Sequence, residues 1–197
     1  MLGFPQRTEI RKLLPKKAIY DKFNLNQAGQ NRVDADISRL YFVNEVSPTS
    51  VGIPSGETVK MFHVIQVHLK RKDYDSKNIA LLFRLIDNNM ILVLTYEGQS
   101  QVAIFHGKLI RTDWLPTAEL RYQIRGLDFD SVWNNLIIQI GNIQMEEGHT
   151  LDEQIAVDEQ RAKIQKEIER LEKLARAEIQ PKKKFELVQR IQELKGL

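Results

Sequence analysis

VKMFHVIQVHLK, residues 59–70, decides the fold. Val59, Met61, His63, Ile65, Val67 and Leu69 fall on one side of an extended chain, and Lys60, Phe62, Val64, Gln66, His68 and Lys70 on the other. That alternation is the period of a β-strand. Just downstream, Asp75 or Ser76 is placed to cap a helix that buries Ile79, Leu82, Phe83 and Ile86 and closes at Asn88-Asn89. ILVLTY (91–96) is almost wholly apolar and reads as a second buried strand, and Glu97-Gly98-Gln99-Ser100 turns the chain into QVAIFHGKLI (101–110) as a hairpin. Leu120, Tyr122 and Ile124 alternate as an edge strand, and Asp128 or Asp130 opens a helix running through Val132, Trp133, Leu136, Ile137 and Ile140 to Gly141.

Upstream, β-branched and aromatic residues from Ala35 to Val46 predict a strand that stops before Ser47-Pro48. The run NLNQAGQN (24–31) reads as a polar connector. The first residues read as two short helices broken at Leu14-Pro15, with Ile10, Leu13 and Leu14 on one stripe and Ile19, Tyr20 and Phe23 on the next. A strand hairpin in place of repeated strand-helix-strand crossovers predicts an α+β domain over 1–143, with a mixed or antiparallel sheet and flanking helices.

Residues 144–150, QMEEGHT, read as a linker, after which everything is helical in pattern. Leu151, Ile155, Ile164, Ile168, Leu171 and Leu174 form an apolar stripe flanked by charge. Glu159 with Lys163, Glu169 with Lys173, and Glu172 with Arg176 are acid-first pairs four residues apart, each stabilising a helix by about 0.2–0.5 kcal/mol. Gln180-Pro181 breaks the run, and Phe185, Leu187, Val188, Ile191 and Leu194 open a second amphipathic helix. Residues 151–197 are therefore expected to form a coiled-coil-like helical hairpin. Its narrow seam must be covered by its own return helix, by the first domain or by another chain. Ile164, Ile168, Leu171, Leu174, Phe185, Val188, Ile191 and Leu194 are the candidate partner-binding residues, whether the partner is a second copy or another subunit.

The chain has 197 residues, 42% of them hydrophobic, and no cysteine. Disulfides and thiolate metal sites are excluded, and a reducing, cytoplasmic compartment is the expectation. No stretch approaches the roughly 18 apolar residues that span a bilayer, so no membrane is expected as a partner. Net charge is only +3, but Lys16 and Lys17 sit in a basic start, Lys70, Arg71 and Lys72 with Lys77 form a second cluster, and Lys182, Lys183 and Lys184 a third. The first two clusters are the candidate DNA-binding residues if folding unites them; otherwise each is a solvated face.

No phosphate-binding glycine loop, dinucleotide-binding turn, nucleophile elbow or zinc-protease histidine pair is present. No catalytic residue, metal ligand set or cofactor is therefore assigned. His63 and His68, five apart on one strand, point to opposite faces and cannot share a metal. A restriction-endonuclease-like metal site would need an upstream acid and then acid-x-lysine on a strand. Gln66-Val67-His68-Leu69-Lys70 offers glutamine or histidine where the second acid belongs, while Asp34, Asp36 or Glu57 would serve upstream. Tyr41, Phe42, Phe62, Tyr96 and Phe105 are either core or stacking platforms for single-stranded nucleic acid.

LPKKAIYDKF (14–23), VDADISRLYFVNEVSP (33–48), LKRKDYDSKNI (69–79), NNMILVLTYEGQSQVAIFH (88–106) and GLDFDSVWNNLIIQIG (126–141) follow one another in this order. Together they resemble a bacterial family, domain of unknown function forty-three ninety-one, over about residues 1–145. QPKKKFELVQRIQELK (180–195) resembles the helical extension of its members. The resemblance implies an accessory subunit of a DNA-directed antiviral defence complex of restriction-modification type, with a helicase or DNA methyltransferase as partner. No catalytic residue carries over from it. A divergent metal-dependent nuclease and a self-assembling structural protein are the alternatives.

Overall fold

The alternating stretch becomes a central strand of a mixed sheet in the computed structural model, which describes residues 2–86 and 88–196. The chain divides into two compact units, Met1–Ile143 and Gln144–Leu197. The first is α+β. Its strands are β1 (Glu9–Leu14), β2 (Ile37–Val46), β3 (Phe62–Leu69), β4 (Asn89–Tyr96), β5 (Gln99–His106), β6 (Lys108–Arg111) and β7 (Leu115–Pro116). Strands β1 to β6 lie side by side in chain order, and β7 pairs with β5. Only β3 and β4 run parallel, connected by a crossover that contains α4 (Ser76–Leu82); the other pairs are antiparallel.

One sheet face carries Leu40 of β2, Ile65, Val67 and Leu69 of β3, and Leu92 and Leu94 of β4, packed with Ile19, Val33, Ile79 and Leu82. Those last four belong to α1 (Lys16–Lys22), α2 (Gln27–Asp36) and α4, while α3 (Pro48–Val51) is a single turn after β2. The opposite face is covered at one end by α5 (Phe129–Gly141), whose Phe129 and Trp133 rings lie 6.1 and 5.4 Å from that of Phe62. Because β4 is buried on both faces, its sequence is nearly continuous in apolar residues, whereas β3 alternates and leaves Gln66 and His68 only half-buried. The β4–β5 turn places Glu97 and Gly98 at φ of +44° and +78°, the left-handed pair that matches the twist of a two-residue hairpin.

Asp130 staples α5 to the loop before β3. Its carboxylate accepts from the N–H groups of Glu57 (2.6 Å), Thr58 (3.1 Å) and Val59 (2.7 Å) and from the Thr58 hydroxyl (2.6 Å). The Thr58 hydroxyl, then these N–H groups, lower its pKa to about 2. Gly56 makes this close approach possible, since a Cβ there would overlap the Asp130 carboxylate and its backbone nitrogen.

Five local expectations are corrected. Residues 9–14 form β1 and not a helix; a bulge between Glu9 and Lys12 breaks the alternation, so that Ile10, Leu13 and Leu14 mimic a helical stripe. The connector NLNQAGQN instead enters α2, capped by the Asn26 side chain accepting from the Gly29 N–H at 2.9 Å. That helix buries Val33 and little other apolar surface, so it has no stripe to read. QVAIFHGKLI is two strands, because Gly107 at φ +65° reverses the chain and pairs His106 with Lys108. Residues 120–124 form no strand: the Tyr122 N–H donates to the Leu2 carbonyl, and the Gln139 side chain clamps the N–H and carbonyl of Gln123 at 2.9 and 3.0 Å. The clearest strand is also shorter than its alternation, beginning at Phe62.

The second unit consists of α6 (Leu151–Ala177) and α7 (Pro181–Lys195). Residues 146–149 fold onto the start of α6, where the Gln154 side chain accepts from the Glu146 N–H and Arg161 pairs with Glu146. Thr150 and Glu153 close a capping box. Ile168, Leu171, Ala175 and Ile191 form the buried seam, flanked by Ile164, Leu187 and Leu194. Glu172 binds both Arg176 on its own helix (3.7 Å) and Lys195 on the other (2.9 Å). Among the described residues no helix is long and apolar enough to cross a membrane.

Candidate nucleic-acid interface

The carboxyl end of β3 gathers the first two basic clusters, because β1 ends there, β2 begins there and the β3–α4 loop starts there. Their charges are partly neutralised within the fold. Lys16 pairs with Asp34, which also accepts from Tyr20 at 2.7 Å. Burial and the bond to Asp34 push the Tyr20 phenol up to about 12. Burial tends to raise the Asp34 pKa, but the bonds from Lys16 and Tyr20 and the nearby charges of Lys16 and Lys70 hold it below its ordinary range. Lys70 itself is exposed.

Arg71 has a different job. It pairs with Asp36 at 2.7 Å, and Asp36 has no exposed surface although it lies just beneath the protein surface. Asp36 also accepts from the Asp75 N–H (2.9 Å) and from Asn78 (2.7 Å). Burial pushes its pKa up, and the bonds from Asp75, Asn78 and Arg71 outweigh that and hold it low. Lys72 bonds Gln99 and stands 5.5 Å from the centre of the Trp114 ring. It lines a polar cleft of about 400 Å³ with Tyr74, Gln101 and Arg111, where Arg111 donates to Tyr74 at 3.0 Å and to Ser76 at 3.1 Å. Lys17 and Lys77 are exposed on α1 and α4. Lys182, Lys183 and Lys184 lie on α7 in the other unit.

The sheet face opposite α1, α2 and α4 is open across β1, β2 and β3. A hollow of about 800 Å³ lies there, lined by Arg11 and Ile10 of β1, Arg39, Tyr41 and Val43 of β2, and Gln66 and His68 of β3, with Glu9 and Ser38. A shallower depression shares Ser38, Arg39 and Tyr41 and extends to Leu13 and Lys16. Register explains the grouping: Tyr41 faces Gln66, Arg39 faces His68, and Leu13 faces Tyr41 across the ladder. The His68 ring meets Tyr41 edge to face at 5.7 Å, and its Nδ1 lies 3.3 Å from the Thr95 hydroxyl. Burial, and then the charge of Arg39, lower the His68 pKa, so the ring is neutral at neutral pH. Arg11 and Arg39 are exposed and have no ion-pair partner among the described residues.

His63 sits on the other side of β3, against Phe42 at 5.4 Å and 3.5 Å from Glu45. Its Nδ1 is buried without a partner among the described residues, not bonded to backbone as a core histidine is expected to be. Of the candidate stacking aromatics, Phe62 is core, Phe42 and Tyr96 pack on the core, and Phe105 lies beside Phe83; Tyr41 alone lines the hollow. Asp34 and Asp36 end α2 rather than entering a strand and face different partners. Among the described residues no group of three or more His, Asp or Glu is placed to hold a metal ion.

Sequence reasoning missed Arg39 and the strand position of Arg11. Arg39 was legible in SRLYF (38–42), where Arg39 and Tyr41 alternate against Leu40 and Phe42. Arg11 was hidden by the bulge in β1. In the hairpin, Ile168, Leu171 and Ile191 are spent on the internal seam with Ile164 and Leu194 beside them, whereas Leu174, Phe185 and Val188 are exposed.

What the fold and site define is an α+β domain with an open, cationic sheet face, followed by a helical hairpin. The profile of the family described as Domain of unknown function (DUF4391) matches residues 2–197, so the chain belongs to that family, hairpin included. No curated protein and no solved structure matches it.

Proposed function

We propose that this protein is a non-catalytic accessory subunit of a DNA-directed complex in the cytoplasm. Its open sheet face holds nucleic-acid phosphates, and the outward apolar residues of its hairpin, Leu174, Phe185 and Val188, dock a partner subunit. The sequence resemblance points to a helicase or a DNA methyltransferase as that partner, in a defence system of restriction-modification type. The observation that carries the nucleic-acid reading is the pair Arg11 and Arg39, two exposed guanidinium groups without a carboxylate partner among the described residues, set on one face with Lys16 at the adjoining depression. Guanidinium forks bind phosphate oxygens in two-point contacts, and such contacts supply most non-specific affinity for nucleic acid.

The test is fluorescence anisotropy of labelled DNA with the full chain, with and without Arg11→Gln and Arg39→Gln. The expected result is salt-sensitive binding that the double substitution weakens at least about tenfold, the scale of losing two phosphate contacts. Wild-type binding unchanged by the substitution would count against the assignment. The same samples incubated with magnesium or manganese address the alternative of a metal-dependent nuclease, since cleavage that survives repurification and is lost on adding chelator would make the protein an enzyme.

A further inference from the structure

The hollow on the β1–β2–β3 face differs from a merely phosphate-binding surface in its floor. Tyr41 presents an aromatic ring within it, Ile10 and Val43 supply apolar wall, and the half-buried Gln66 has no side-chain hydrogen bond to another described residue. Arg11 and Arg39 are on its exposed rim. Its volume, about 800 Å³, is in the range of sites that enclose small ligands. A flat apolar surface, an amide not engaged by the described residues and cations at the rim are the three chemistries a nucleotide presents in complement: the face of the base, its hydrogen-bonding edge, and its phosphates.

Building on the nucleic-acid reading above, we infer that this hollow takes an unstacked base of single-stranded nucleic acid, with the base on Tyr41, its edge on Gln66, and the flanking phosphates on Arg11 and Arg39. Duplex DNA does not fit the same chemistry. Its bases are stacked inside and are read by elements that protrude into a groove, whereas Tyr41 and Gln66 lie recessed in a concave face. A duplex would touch the rim cations and leave the floor unused. The neutral state of His68 suits this arrangement, because the neutral ring contributes edge contact to Tyr41 without adding charge beneath the base.

The experiment compares labelled oligothymidine of roughly 15 nucleotides, within the span of sheet-based single-strand binders, with a duplex of equal length, using the full chain. Single strand is expected to bind at least about tenfold more tightly. Tyr41→Ala is expected to weaken it about five- to a hundredfold, the effect of removing one stacking ring, while leaving duplex binding unchanged. Tyr41→Phe should keep wild-type affinity. If Tyr41→Ala does not fold, Tyr41→Leu, which keeps apolar bulk and removes the π face, carries the test. Duplex bound as tightly as single strand, or single-strand affinity indifferent to Tyr41, overturns this inference and leaves the phosphate-binding reading standing. Failure of the wild-type chain to bind either form overturns both.

Discussion

Arg39 and Leu40 are neighbours on β2, and they belong to two faces of one sheet that have been treated in opposite ways. Leu40 is 1% exposed beneath α1, α2 and α4, in a layer of aliphatic side chains. Arg39 stands in the open with Tyr41 and Gln66 around it. On the covered face a side chain has one role, filling space. On the open face the fold tolerates cations and an unpartnered amide, groups that contribute little to holding a sheet together and much to meeting a charged ligand. Stability and binding should therefore separate by face.

The largest stability effect should come from the covered face. Leu92 is fully buried on β4, and Leu92→Ala should cost about 3 kcal/mol in chemical denaturation through lost burial and the cavity left behind. Asp36→Ala should come close, about 3 kcal/mol. It removes the acceptor of the Asp75 N–H and one of the two acceptors of Asn78, and the cost sits at the low end for breaking a buried pair because the Arg71 left behind is itself exposed.

A smaller, pH-dependent effect is expected at Asp130. Its pKa of about 2 in the folded protein lies below the ordinary ~3.9 of the unfolded chain. The stability it contributes is thus complete above about pH 4 and lost as pH falls towards 2. Asp130→Asn should be less stable than wild type near neutrality, with the gap narrowing across that window in acid unfolding curves. A gap that stays constant with pH would mean that the staple does not depend on charge.

Least of all should stability respond on the open surfaces. Arg39→Gln should shift unfolding by no more than about 0.5 kcal/mol while lowering nucleic-acid affinity. In the hairpin, Phe185 is 69% exposed, and Phe185→Ser should likewise leave thermal unfolding within about 0.5 kcal/mol while reducing recovery of the partner subunit from the native host. If Phe185→Ser instead converts a dimer to a monomer in light scattering, the hairpin serves self-association.

The covered face was legible because filling space leaves a periodic trace: Ile65, Val67, Leu69 and the run ILVLT announce themselves. The capped start of α5 and the break at Pro181 were legible for local reasons, since an Asp128 cap and a proline act on their own neighbours. The open face left a weaker trace. The bulge in β1 disguised the phase of Arg11, and the pairing of β1 with β2, which aligns Leu13 with Tyr41, is a long-range fact that no local pattern encodes. Lysines were conspicuous as clusters, yet Lys16 and Arg71 prove to be tied to Asp34 and Asp36. The isolated Arg39 retains its charge for a ligand.

The central claim is that the open face binds nucleic-acid phosphate, and a salt titration tests it most directly. Affinity of the full chain for single-stranded DNA should fall linearly on a log–log plot against salt. Arg11→Gln with Arg39→Gln should flatten that slope by about 1.4, two contacts at roughly 0.7 each. A slope identical in wild type and double variant would contradict the account.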